Sequence, residues 1–181
     1  MRRAMRVALV VLGAAMHLCS AADEGDRNWS IAEATRAGDG RKVIYRYQER
    51  FGSGFQRAQF PDRVTIAWPY DTRTGLPSHA DLQAMDRLEE SLRPYVETAA
   101  VSRLALVATG DNLREWVYYA ASQREFMERA NRALRNQPVL PIQFGLLKDA
   151  RWQRYDELRK MLPADAGRGG SARRDKPVKK D

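Results

Sequence analysis

Val101-Ser-Arg-Leu-Ala-Leu-Val-Ala-Thr-Gly-Asp-Asn-Leu-Arg-Glu-Trp-Val-Tyr-Tyr119 decides the fold. Val101 to Thr109 is a near-continuous apolar run bounded by turn residues, the pattern of a buried central strand. Gly110-Asp111-Asn112 turns the chain, and Arg114 to Tyr119 returns as a second strand with Trp116 and Tyr118 on one face. Ser122 and Glu125 then have the spacing of a capping box. The helix it opens buries Phe126, Met127, Ala130 and Leu134.

The same alternation recurs upstream. Lys42 to Glu49 sets Val43, Tyr45 and Tyr47 against Ile44, Arg46 and Gln48. After the glycine-spotted turn Phe51-Gly-Ser-Gly-Phe-Gln56, Arg63 to Tyr70 places Val64, Ile66 and Trp68 on one face. Pro69 marks the end of that strand or a sheet edge. Ser78 caps a helix with Asp81 in its first turn, and Leu82, Met85, Leu88, Leu92 and Val96 form its apolar stripe. Pro94 implies a kink or an early end. Downstream, Pro141 to Leu147 reads as a short strand, and Trp152, Tyr155, Leu158 and Met161 as closing helical turns. The expected fold class is α+β: ferredoxin-like β-β-α-β-β-α-β, an antiparallel sheet with helices packed on one face.

The ends have a different character. Met1-Arg-Arg-Ala-Met-Arg6 followed by an apolar run from Val7 to Leu18 and small residues to Ala22 is the pattern of an export signal. Cleavage before Asp23 puts Ser20 and Ala22 at the −3 and −1 positions. The expected location is therefore the periplasm or outside the cell. Cys19 follows His17 and Leu18, poor residues for a lipid-attachment box, so lipidation is disfavoured. Residues 23–40 read as a loose lead-in, 41–162 as one domain and 163–181 as a basic disordered tail.

Cleavage removes the only cysteine and one of the two histidines, leaving His79. Thiol nucleophiles, disulfides and Cys/His zinc sites go with them. The chain carries a net charge of +8; the leader and the tail hold +3 each, leaving +2 on residues 23–162. A nearly neutral body argues against specific nucleic-acid binding.

Several runs at their spacings resemble the bacterial domain of unknown function 695. They are Pro61-Asp-Arg-Val-Thr-Ile-Ala-Trp-Pro-Tyr70, Gly75-Leu-Pro77, Met85-Asp86 with Leu88-Glu-Glu-Ser-Leu92, Thr109-Gly110 before Arg114-Glu-Trp-Val-Tyr-Tyr119, Phe126 with Asn131, and Trp152-Gln-Arg-Tyr155. The resemblance covers about half the chain. It implies a fold similar to that of a small protein that inhibits a bacterial RNA-degrading enzyme, and no settled activity.

Candidate contacts lie in the densest polar-aromatic segment. Arg114, Glu115, Trp116 and Tyr118 would make an aromatic platform with an arginine at its mouth, suited to an anionic ligand or a peptide. The same pattern also describes an amphipathic strand packing under helices. Asp86 shares a helix face with Glu89 or Glu90, whereas adjacent Glu89 and Glu90 diverge by about 100°. Such a cluster suits a cation or simply a solvated face. His79 lacks triad partners, the aspartates lack calcium-loop spacing, and Gly52-Ser-Gly54 lacks a phosphate-loop lysine.

These features lead to a non-catalytic binding or regulatory domain of the cell envelope, without cofactor or metal. Its expected partner is a protein or peptide, with weak tail contact to anionic surfaces. The alternatives are a carboxylate-dependent hydrolase using Asp86 or Glu90 with Arg114, and a structural homodimer paired through a sheet edge or the last strand.

Overall fold

A computed structural model of the chain describes residues 29–35 and 40–162. The expected leader and basic tail lie outside the described residues. Six strands and three α-helices follow one another as β1 (Trp29–Thr35), β2 (Lys42–Gln48), β3 (Asp62–Pro69), α1 (His79–Val96), β4 (Ser102–Gly110), β5 (Leu113–Ala120), α2 (Gln123–Leu134), β6 (Gln143–Lys148) and α3 (Gln153–Met161). All strands join one sheet in the order β1-β2-β4-β5-β3-β6. Every neighbouring pair is antiparallel.

The α+β class stands, but the expected β-β-α-β-β-α-β arrangement needs three corrections. Residues 29–35, expected to lead in loosely, pair along their whole length with β2 and form an edge strand. The strands expected as first and second, β2 and β3, are not neighbours, because the β4–β5 hairpin lies between them. The two helices expected on one face, α1 and α2, do share it, but the closing helix α3 does not join them. Helices α1 and α2 pack on a core of Val64, Ile66, Trp68, Leu104, Val107, Trp116 and Tyr118. Helix α3 covers the opposite face, against Tyr47, Ala105, Leu106, Val117 and Tyr119.

The β4–β5 hairpin organises both layers. Asp111 and Asn112 adopt φ of 55° and 62°, the left-handed pair of a type I′ turn, whose twist matches the strands it joins. Gly110 precedes them, and a Cβ there would meet the Lys42 carbonyl oxygen at 2.3 Å. That contact brings β2 tight against β4. A bulge between Leu104 and Leu106 interrupts the register with β5. It reverses the pleat, so Leu104 and Val107 face α1 while Ala105 and Leu106 face α3.

The helix termini follow from the sequence. Ser78 and Asp81 form a reciprocal capping box at α1. At α2 only half of the expected box forms: Ser122 Oγ accepts from Glu125 N at 3.4 Å, while Glu125 turns to Arg129 at 2.8 Å. Asp62 instead satisfies the next donor of the first turn, accepting from Gln123 N at 3.0 Å. Pro94 lies in the final turn of α1, and the helix ends two residues later at Val96. No described helix is long and apolar enough to cross a membrane.

Candidate functional site

Strand register defines the floor of the site. Directly paired residues share a face of a pleated sheet. One row therefore runs Ile31, Arg46, Val107, Trp116 across β1, β2, β4 and β5. The next runs Glu33, Ile44, Thr109, Arg114. Helix α1 covers the β5 end of both rows and leaves the β1–β2 ribbon open. Between helix and ribbon lies a groove of about 220 Å³ lined by Ile31, Ile44, Arg46, Leu82, Val107, Thr109 and Arg114. The arginines stand at diagonal corners of a floor that is apolar except for Thr109.

Glu89 of α1 ties them together. It is 5 % exposed and accepts a hydrogen bond from Arg46 Nη2. Its second oxygen accepts from Trp116 Nε1 at 2.8 Å and lies 3.5 Å from Arg114 Nη2. Arg93 approaches at 3.5 Å from solvent, and exposed Asp86 lies 3.4 Å from Arg114 Nη1. Burial works to raise the Glu89 carboxyl, but the Arg46 charge, the hydrogen bonds from Arg46 and Trp116, and the Arg114 charge outweigh it. They hold Glu89 below the usual carboxylate range. Burial likewise pulls the Arg114 guanidinium down against the opposing charges of Glu89 and Asp86.

The buried balance is cationic. Asp86 and Arg93 are largely solvated and roughly cancel, which leaves two guanidiniums around one buried carboxylate. Arg46 Nε and Arg114 Nε are buried and have no hydrogen-bond partner among the described residues. Arg46 also lies 5.0 Å over the Trp29 ring and Arg114 5.0 Å over Trp116.

The structure brings together Arg114, Trp116 and Asp86, three of the residues expected to make contacts. Trp116 is buried at 1 % and acts through Glu89. Tyr118 is also buried, with its hydroxyl 3.4 Å from Glu97 Oε1. Glu115 faces the other side of the sheet, 3.7 Å from Arg154. Glu90 is exposed, and His79 opens α1 at the surface. The sequence pattern offered Glu89 only as a carboxylate sharing a helix face with Asp86, and did not single out Arg46. A signal for Glu89 existed, since Met85, Glu89, Leu92 and Val96 share an i, i+4, i+7, i+11 stripe. Among the described residues, no group of three or more His, Cys, Asp or Glu side chains is placed to hold a metal ion.

The opposite face is built from rings. Trp152 stacks on Tyr119 with centroids 3.8 Å apart and planes 7° from parallel. Its Nε1 donates to the Phe60 carbonyl at 3.0 Å. Phe51, Phe55 and Phe60 pack around it. Asp149 accepts from Tyr119 Oη at 2.8 Å and from Gln153 N at 2.7 Å, starting α3.

An antiparallel α+β sheet, with a charged groove on one face and an aromatic seal on the other, defines the class. The family model described as a family of unknown function (DUF695) matches residues 28–158, and the chain belongs to that family. No curated protein matches the chain.

Proposed function

We propose that the chain is a non-catalytic binding domain of the cell envelope, which captures a protein or peptide partner in the groove between α1 and the β1–β2 ribbon. One observation carries this reading: two guanidiniums share one buried carboxylate beside an open apolar floor. Glu89 is saturated with donors and held ionised, which suits it to orienting arginines and not to moving protons. Export rests on the pattern of Met1 to Ala22. We also read the β-α-β-β-α-β succession from β3 to β6 as a ferredoxin-like unit, extended by β1 and β2.

The test is capture from an envelope extract by residues 23–181 and by residues 23–162. A stoichiometric partner retained by both and lost on Arg46→Gln supports the groove. Retention that needs the tail and fades with salt contradicts it.

A second reading, the homodimer, has its own observation. β6 is a sheet edge carrying exposed Leu146 and Leu147, at 42 % and 56 %. Light scattering across a concentration series tests it, and a monomer at every concentration ends it.

A further inference from the structure

Resting on the binding-domain reading, we propose that the groove takes the C-terminal carboxylate of a peptide whose last residue is aliphatic. The argument begins with charge. A guanidinium taken out of water needs an anion and filled hydrogen bonds, and the penalty for leaving it short is large. Arg114, with its side chain 9 % exposed, and the half-buried Arg46 have one buried carboxylate between them. A second carboxylate entering the groove completes the balance, through charge-assisted hydrogen bonds that arginine makes well.

Shape narrows the anion. Ile31, Ile44, Leu82 and Val107 present hydrocarbon between the arginines, with Thr109 the one uncharged polar side chain in the lining. The ligand must therefore carry an apolar group a few ångströms from its charge. A volume of about 220 Å³ falls below the roughly 300–1,000 Å³ of sites for drug-sized ligands. It suits a single residue. A C-terminal leucine, isoleucine or valine carries its carboxylate and its side chain on the same carbon, and the rest of the peptide leaves by the open side past Ile31. An internal Asp or Glu supplies the charge without the adjacent hydrocarbon. A phosphate supplies neither the hydrocarbon nor a fit to the apolar floor.

The probe is the peptide Gly-Gly-Ser-Ala-Leu, titrated by calorimetry into the purified chain as the free acid and as the C-terminal amide. Hexanoate and the same peptide ending in Asp serve as comparisons. The expected result is binding of the free acid, with the amide, the Asp-ended peptide and hexanoate each at least tenfold weaker. Ile31→Asp, at a position 61 % exposed and directly paired with Arg46, sets a competing carboxylate at the rim. It weakens binding at least tenfold without disturbing the core, and Arg46→Gln, which also removes a partner of Glu89, weakens binding at least tenfold. Equal binding of acid and amide, or hexanoate binding as tightly as the peptide, overturns the C-terminal assignment while leaving the groove a binding site. Absence of free-acid binding also overturns the assignment. If neither the peptide nor partners captured from the extract respond to Ile31→Asp, the binding-groove reading falls as well.

Discussion

The two faces of the sheet solve the same packing problem in opposite ways. Under α3, rings stack on rings, and Trp152 is held in a left-handed backbone conformation at φ 58° so that its indole can lie flat on Tyr119. Under α1, the helix buries a carboxylate that must be answered by arginines from β2 and β5. The aromatic face closes over Trp152 with its rings and keeps a pocket of about 270 Å³ only at its rim, beside Phe51, Phe55, Phe60 and Arg103. The charged face keeps a groove of about 220 Å³ between α1 and the β1–β2 ribbon, bridged where Glu89 meets Arg46. Apolar packing is non-directional and fills space, whereas charge demands specific partners and leaves room for one more.

Four substitutions probe that contrast. Trp152→Ala removes the centre of the aromatic seal, and a loss of about 3–5 kcal/mol is expected on denaturant unfolding. Glu89→Ala leaves the buried Arg114 and half-buried Arg46 guanidiniums without their shared anion, and about 3 kcal/mol should be lost, although the side chain contributes little hydrocarbon to the core. A loss under about 1 kcal/mol would show that water already answers the arginines and that the contrast is overstated.

Glu97→Gln sharpens the comparison through pH. Burial pushes the Glu97 carboxyl up to about 6, against the lowering charge of Arg93. The folded state therefore holds this proton more tightly than the unfolded state. Stability from this group is fully present below about pH 4.5 and is lost as pH rises towards 6. The amide should stabilise the chain by about 1–2 kcal/mol at pH 8 and leave it unchanged at pH 4. Glu89 works in the opposite sense, since its lowered value gives stability above the ordinary carboxylate range that is lost on acidification. Ile31→Asp should have the smallest effect, within about 0.5 kcal/mol in thermal melts. Its readout is ligand capture alone.

Much of the scaffold was legible from patterning. The apolar run of β4, the return of β5, the Ser78 cap and the stripe from Leu82 to Val96 all appear where periodicity places them. β1 was not, because Trp29-Ser-Ile-Ala-Glu-Ala-Thr35 mixes small and polar residues and is held by pairing with β2 more than by burial. The bulge at Leu104–Leu106 was also hidden, and with it the fact that Val107 and Thr109 face the groove. The aromatic platform was visible as composition but not as orientation: Trp116 and Tyr118 point under α1, and Arg114 alone of that segment lines the groove. Glu89 and Glu90 were inseparable by type. Only the phase of the helix assigns one to the core and the other to solvent.

The most direct test follows two of the four indole N–H signals, those of Trp116 and Trp152, in a nitrogen-edited NMR spectrum during titration with Gly-Gly-Ser-Ala-Leu free acid. Trp116 Nε1 donates to Glu89 beneath the groove, while Trp152 Nε1 donates to the Phe60 carbonyl on the sealed face. A saturable shift of the Trp116 signal, with Trp152 unmoved, is the expected result. A stationary Trp116 signal, or movement confined to Trp152, would contradict a binding site on the charged face.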